Sequence, residues 1–255
     1  MKLLKVFIVI IAILYLGVPN SAAEEFDHSH KNYDQLLQDQ VKDGLVNYKA
    51  IKVDPEVLNG YLDTLGKVEK ATFNAWPEKE RLTYLINLYN AATIKLIVDN
   101  YPVKSIRDIN KEGEGPWKLN VVNLFGKKIS LDALEHDIIR KNYNEPRIHF
   151  ALVCAALGCP KLPNWAFVSL KLEQQLEART KLYLADKSIN YIDEGNKTIY
   201  LSSIFNWFAG DFKKTHSTVL DFVKQYLPAD EANKLNPNFR VNYTEYDWNL
   251  NDSSR

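Results

Sequence analysis

Charge of either sign in excess is missing from this sequence: 32 basic residues stand against 32 acidic ones over 255 residues. There is no acidic or basic tail and no clustered basic face, so composition excludes an electrostatic grip on nucleic acid. Internal repeats and low-complexity stretches are absent as well, which removes solenoids and arrays. Apolar runs are short. The longest, residues 6–16, is cut off by Gly17, Pro19 and Asn20, below the roughly 20 residues a spanning helix needs. Cysteine is scarce, with two in the chain, and histidine is limited to five. Aromatic residues are plentiful instead (14 Tyr, 11 Phe, 5 Trp), which fits a packed core rather than a disordered chain.

The amino terminus has the pattern of an export signal. Lys2 and Lys5 precede the apolar run, and Ser21, Ala22 and Ala23 offer small residues for cleavage after Ala23. The competing reading is a retained anchor, which the short run disfavours. Two of the 32 basic residues, Lys2 and Lys5, belong to this leader, so the remainder carries 30 basic against 32 acidic side chains, a net charge of about −2. The expected organisation is a signal peptide over 1–23, a flexible lead-in over 24–32 and one domain over 33–252. Export would end in the periplasm or outside the cell. It also places both thiols in an oxidising compartment, where a disulfide is the ordinary fate of two cysteines.

Periodicity predicts helices over 33–42, 55–65, 171–185, 217–226 and 229–235. It predicts extended segments over 46–51 and 239–248, a hairpin within 117–129, and another pairing 189–192 with 198–201 across Asp193-Glu194-Gly195-Asn196. The clearest helix is 77–100. Pro77 suits its first position, Glu78 and Glu80 its first turn, and apolar residues occupy both its faces, so it should be buried nearly all round. Asn87 and Asn90 fall on one flank, either as a satisfied internal network or as groups that orient a catalytic centre. Ser130 is a good cap for a helix to Lys141 that carries Glu135 and His136.

Both cysteines, Cys154 and Cys159, lie with His149 in residues 147–162, RIHFALVCAALGCPKL. Pro146 ahead and Gly158 behind predict a helix over 147–157. On such a helix His149 and Cys154 would sit about 140° apart, and on a strand they would take opposite faces. A base for either thiol therefore has to come through folding, from His136 or from His149 on irregular backbone, with Glu135 as its anchor. A helix would also place the thiols at its carboxyl end, where the dipole disfavours a thiolate. A disulfide has the opposite difficulty, because five helical residues rise about 7.5 Å. Metal binding by His136, His149 and the thiols is a third option, with no established spacing behind it. His28 and His30 look like surface groups of the lead-in, His216 like a solvated one. Trp207, Phe208, Asp211 and Phe212 read as core aromatics with a cap.

Several segments, YLINLYNAATIKLIVDNYPVKSI (84–106), ISLDALEHDIIR (129–140), RIHFALVCAALGCPKL (147–162), LSSIFNWFAGDF (201–212) and YTEYDWNLND (243–252), resemble domain-of-unknown-function family 547. The resemblance runs from about residue 33 to 252. It implies an exported bacterial protein and a motif of Glu135-His136, His149, Cys154 and Cys159, all retained here. Many members of the family carry serine at the position of Ala156, so the resemblance, with that serine absent here, argues against a serine nucleophile at this site. A kinship with papain-like or transglutaminase-like enzymes is an analogy of residue types alone.

The resulting expectation is an α+β fold: a single helix-rich domain with a small antiparallel sheet and a central buried helix, cysteine-protease-like if the thiols are catalytic. One functional reading is a thiol-dependent hydrolase or acyl-transfer enzyme acting on an amide or ester, with a small-molecule or peptide-like substrate. Its residues would be Cys154 or Cys159 as nucleophile, His136 or His149 as base, Glu135 as orienting group, and Asn87 or Asn90 in support. The other is a non-catalytic binding or scaffold domain with a Cys154–Cys159 disulfide, or a metal-binding protein. No cofactor is implied, nor a stable membrane span once the signal is removed.

Overall fold

The computed structural model describes residues 26–236 and 238–254; the predicted signal segment lies outside them. In chain order the elements are α1 (Lys31–Gln40), a hairpin of β1 (Val41–Lys42) and β2 (Leu45–Val46), then α2 (Tyr48–Val53), α3 (Glu56–Gly66) and α4 (Lys70–Ala75). The central helix α5 (Glu78–Asn100) comes next, then a hairpin of β3 (Val122–Leu124) and β4 (Lys127–Ile129). A π-helical segment (Ala133–Ile139) runs into α6 (Arg140–Asn142), and a 3-10 turn (Pro146–Phe150) leads to the cysteines. The second half holds α7 (Leu172–Leu184), β5 (Tyr191–Asp193), β6 (Thr198–Ser202), α8 (Ile204–Trp207), α9 (Ala209–Thr215), α10 (Val219–Tyr226), α11 (Ala229–Lys234) and β7 (Arg240–Thr244). This is the α+β, helix-rich arrangement the pattern predicts.

A helix apolar on every side must be covered on every side. Every residue of α5 from Leu82 to Ile94 is buried, and α2, α3, β3 and the π-helical segment pack on it. Its two amides serve the backbone around them. Asn87 donates to Phe167 O and accepts from Phe167 N, at 2.8 and 3.0 Å, and Asn90 does the same for Ala151 O and Val153 N, both at 2.9 Å. A second cluster, around Phe150, Phe205, Phe212 and Phe222, is enclosed by α7 to α10 and the three-stranded sheet. That sheet is mixed. β5 and β6 are antiparallel, but β7, placed correctly by its alternation, joins β6 in parallel.

Four local expectations are corrected. Residues 46–51 are not extended beyond Val46: Asn47 accepts a hydrogen bond from Ala50 N and caps α2. The helix expected from Ser130 to Lys141 widens into a π-helical segment before α6. The helix expected over 147–157 stops at Phe150. There the Asn90 amide takes Ala151 O and Val153 N, and the carboxyl-terminal segment pairs with residues 155–158: Leu157 N donates to Asn249 O, Gly158 N to Asp247 O, and Asn251 N to Ala155 O. Backbone groups spent in this way are lost to a helical ladder. Finally, residues 26–30 of the expected lead-in pack rather than float, with Phe26 against Trp76 and buried His30 bonded through Nδ1 to the Tyr61 hydroxyl at 2.8 Å. Among the described residues no helix is long and apolar enough to cross a membrane.

Candidate functional site

The backbone turn that defines the site is at Ala155, whose φ of 60° is the left-handed conformation expected of Gly158. Gly158 itself has no such φ. It is small for another reason, since a Cβ there would lie 2.9 Å from the backbone nitrogen of Asp247. The turn brings the Cα atoms of Cys154 and Cys159 to 6.2 Å, and the sulfurs are joined in a disulfide. Two donors face the bridge. Cys154 N–H donates to Cys159 Sγ at 3.0 Å, and the Tyr246 hydroxyl donates to the same sulfur at 3.0 Å while lying 3.2 Å from Cys154 Sγ. Burial pushes the Tyr246 hydroxyl well above its ordinary pKa, so it stays protonated.

The bridge lines a cavity of about 450 Å³ at the seam between the two apolar clusters. Glu135, His136 and His149 line it as well, so all five residues picked out around the thiols meet there. Asn87 and Asn90 do not line it. They stand behind it, and Asn90 holds the irregular stretch that leads into Cys154. One side of the remaining wall is aromatic: Trp207 stacks on Trp248 with centroids 5.8 Å apart, Tyr246 touches both, and Trp117 meets Trp248 edge-on.

His149 is the most tightly held of the five. Its ring is buried, stacked on Phe208 at 3.8 Å, and bonded through Nε2 to Asp211 Oδ2 at 2.8 Å. Burial lowers the imidazole pKa, against the raising influence of Asp211 and Glu135. A neutral ring that donates from Nε2 keeps its lone pair on Nδ1, and Nδ1 makes no hydrogen bond among the described residues. The orienting carboxylate is therefore Asp211, not Glu135. Burial alone would raise the Asp211 carboxyl, but hydrogen bonds from His149, Arg140 and Lys214 outweigh it and hold the group well below the usual carboxylate range.

Arg140 connects the two histidines. Its Nε donates to Asp211 at 2.5 Å, its Nη1 to His136 Nδ1 at 2.6 Å, and its guanidinium lies over the Phe208 ring at 4.9 Å. An arginine has no acceptor, so His136 Nδ1 must be the accepting nitrogen and Nε2 carries the ring proton, toward Asp132 at 3.4 Å. His136 thus accepts from Arg140 and directs its remaining N–H toward Asp132. Glu135 stands beside the buried Tyr89 hydroxyl, whose pKa is raised by burial and then by the Glu135 charge.

Neither sulfur is hydrogen-bonded to an imidazole, and with the bridge closed no thiolate exists to act as nucleophile. The metal alternative also lacks support: among the described residues no three His, Cys, Asp or Glu side chains are placed to hold an ion.

Sequence reasoning missed Asp211, Arg140 and Tyr246. The first had a signal. An acid between Phe208 and Phe212, in a segment otherwise made for the core, must be buried, and a buried carboxylate needs cationic or N–H partners. Tyr246 carried none, because its role depends on where the carboxyl terminus returns.

No curated protein and no solved structure matches this chain. Residues 73–184, the segment from α4 through the central helix and the cysteine bridge to the end of α7, match the family model described as protein of unknown function, DUF547.

Proposed function

We propose that this is an exported binding domain whose pocket takes a small, flat organic ligand with a polar group. The observation that carries the reading is the cavity itself. Its volume falls within the range of small-molecule sites, its walls are aromatic, and a few polar groups (Glu135, His136, Lys118) converge on it. The leader sequence supports export, and the closed bridge suits an oxidising compartment. Titration with an anilinonaphthalene dye, monitored by fluorescence, tests it. Trp207→Ala and Trp248→Ala are each expected to weaken binding about tenfold, since losing a stacked aromatic anchor costs about 1–2 kcal/mol. Equal binding to the parent and both variants would count against the pocket.

A second reading, a thiol-dependent hydrolase or acyl-transfer enzyme for an amide or ester, is favoured by one observation: Glu135, His149 and both sulfurs share the cavity wall. It requires an open bridge. Turnover of p-nitrophenyl acetate by the reduced protein, absent from the oxidised form and from Cys154→Ser, is its test.

A further inference from the structure

We propose that the Cys154–Cys159 bridge is an exchangeable disulfide, attacked at Cys154 by a small thiol that enters the pocket, with Cys159 leaving as the thiolate. The idea rests on the aromatic pocket being open to ligands, and it adds a reaction there.

The asymmetry of the bridge carries it. Both cysteines line the cavity, but Cys154 is half-buried whereas Cys159 is only 5% exposed. Attack from the cavity therefore meets Cys154 first. Cys154 N–H is directed at Cys159 Sγ, and the Tyr246 hydroxyl lies nearer to that sulfur, at 3.0 Å, than to Cys154 Sγ, at 3.2 Å. Donors aimed at one sulfur stabilise negative charge on it, and exchange is faster when the leaving sulfur bears charge more easily. A purely structural bridge has no need of paired donors on its more buried sulfur, or of a place in the wall of the aromatic cavity. The turn that closes it, with Ala155 at φ 60°, is held from outside by Asn249, Asp247 and Asn251. The two sulfurs therefore stay adjacent after the bond breaks, and the bridge can re-form.

In the first step a thiol ionises to solvent, and its sulfur bonds to Cys154 Sγ as the Cys154–Cys159 bond breaks. The electron pair of that bond goes to Cys159 Sγ, where the N–H and O–H donors receive it. A second thiolate then attacks the non-protein sulfur of the mixed disulfide and releases Cys154 as a thiolate. Two thiols are oxidised to one small disulfide, and the protein is reduced to a dithiol.

The test uses the folded, oxidised chain with reduced glutathione, then alkylation and mass spectrometry over a range of pH. The bridge of the folded protein is expected to open faster than that of the same chain unfolded in guanidinium. Tyr246→Phe, with an unchanged circular dichroism spectrum, is expected to slow opening about fivefold to tenfold, the loss of one hydrogen bond to a charged group. With oxidised glutathione, Cys154 in Cys159→Ser is expected to form the mixed disulfide faster than Cys159 in Cys154→Ser. Slower opening in the folded than in the unfolded chain, or a preference for Cys159, overturns the proposal. If Tyr246→Phe does not fold, the folded-against-unfolded comparison still decides. An inert bridge with intact dye binding defeats the exchange reaction and leaves the binding reading standing. Exchange without dye binding does the reverse.

Discussion

At the scale of single residues, the pocket is set by one buried carboxylate serving three cationic or N–H donors. Asp211 bonds His149, Arg140 and Lys214, so Asp211→Asn should leave a partly buried guanidinium and an imidazole with one neutral amide oxygen in place of the carboxylate. A loss of about 2 kcal/mol is expected from the weakened charge-assisted bonds, read from the denaturant midpoint, together with weaker dye binding as the ring of His149 loses its orientation. Acid should act mainly through imidazoles. Burial holds His30 at about 4, with the charge of His28 adding to the shift, and burial also lowers His149, whereas an unfolded imidazole titrates near 6.5. Between these values the unfolded chain binds protons that the folded chain refuses, so stability falls as pH drops from about 6.5 to about 4. His30 alone accounts for up to about 3 kcal/mol of that loss. Asp211, its pKa lowered by folding, adds to it only below about 4. Urea midpoints across this window check the slope, and His30→Gln should flatten it.

At the scale of elements, glycines show which reasons for a residue can be read from sequence. Gly60, inside α3, has open space where a Cβ would stand, whereas a Cβ at Gly158 would lie 2.9 and 3.1 Å from backbone atoms of Asp247. Gly60→Ala is therefore expected to stabilise by about 0.5–1 kcal/mol. Gly158→Ala is expected to destabilise by about 1–3 kcal/mol, the range for overpacking, and thermal melts of the two variants separate them. The sequence marked Gly158 as special but suggested a helix cap, because the chain that approaches it lies some ninety residues away. The central helix was legible, since Leu82, Leu85, Ile86 and Tyr89 repeat at its period and Pro77 and Glu78 mark its start. So were the hairpins of β3 with β4 and of β5 with β6, whose turns are local, though not the short one of β1 with β2. What failed was backbone whose partners are distant: residues 151–158, claimed by Asn90 and by the carboxyl-terminal segment. The site divides in the same way. Glu135, His136, His149 and the cysteines announced themselves as reactive types, but which of them touch could not be read, and Tyr246 and Arg140 were invisible.

At the scale of the whole molecule, the carboxyl-terminal segment after β7 reaches across both cores. Tyr246 packs on both clusters and on the bridge. Farther on, Leu250 pairs with Ala156, and Asp252 with Val46 of the first hairpin. Asn251 is buried there, accepting from the Tyr48 hydroxyl at 2.7 Å and donating to Gly44 O at 3.0 Å. Such a strap contributes stability only when both halves are folded, which makes the two clusters one cooperative unit. Asn251→Ala leaves a buried hydroxyl and a buried carbonyl without partners, at a cost of about 2–4 kcal/mol for the pair. If the strap couples the halves, the variant should still unfold in a single transition at a lower urea concentration. Removal of residues 245–254 should go further and split unfolding into two transitions, reported separately by tryptophan fluorescence near the pocket and by far-ultraviolet circular dichroism. Coincident transitions in the truncated chain would show that the halves are coupled through their direct contact instead, and that the pocket needs only its aromatic wall from the terminal segment.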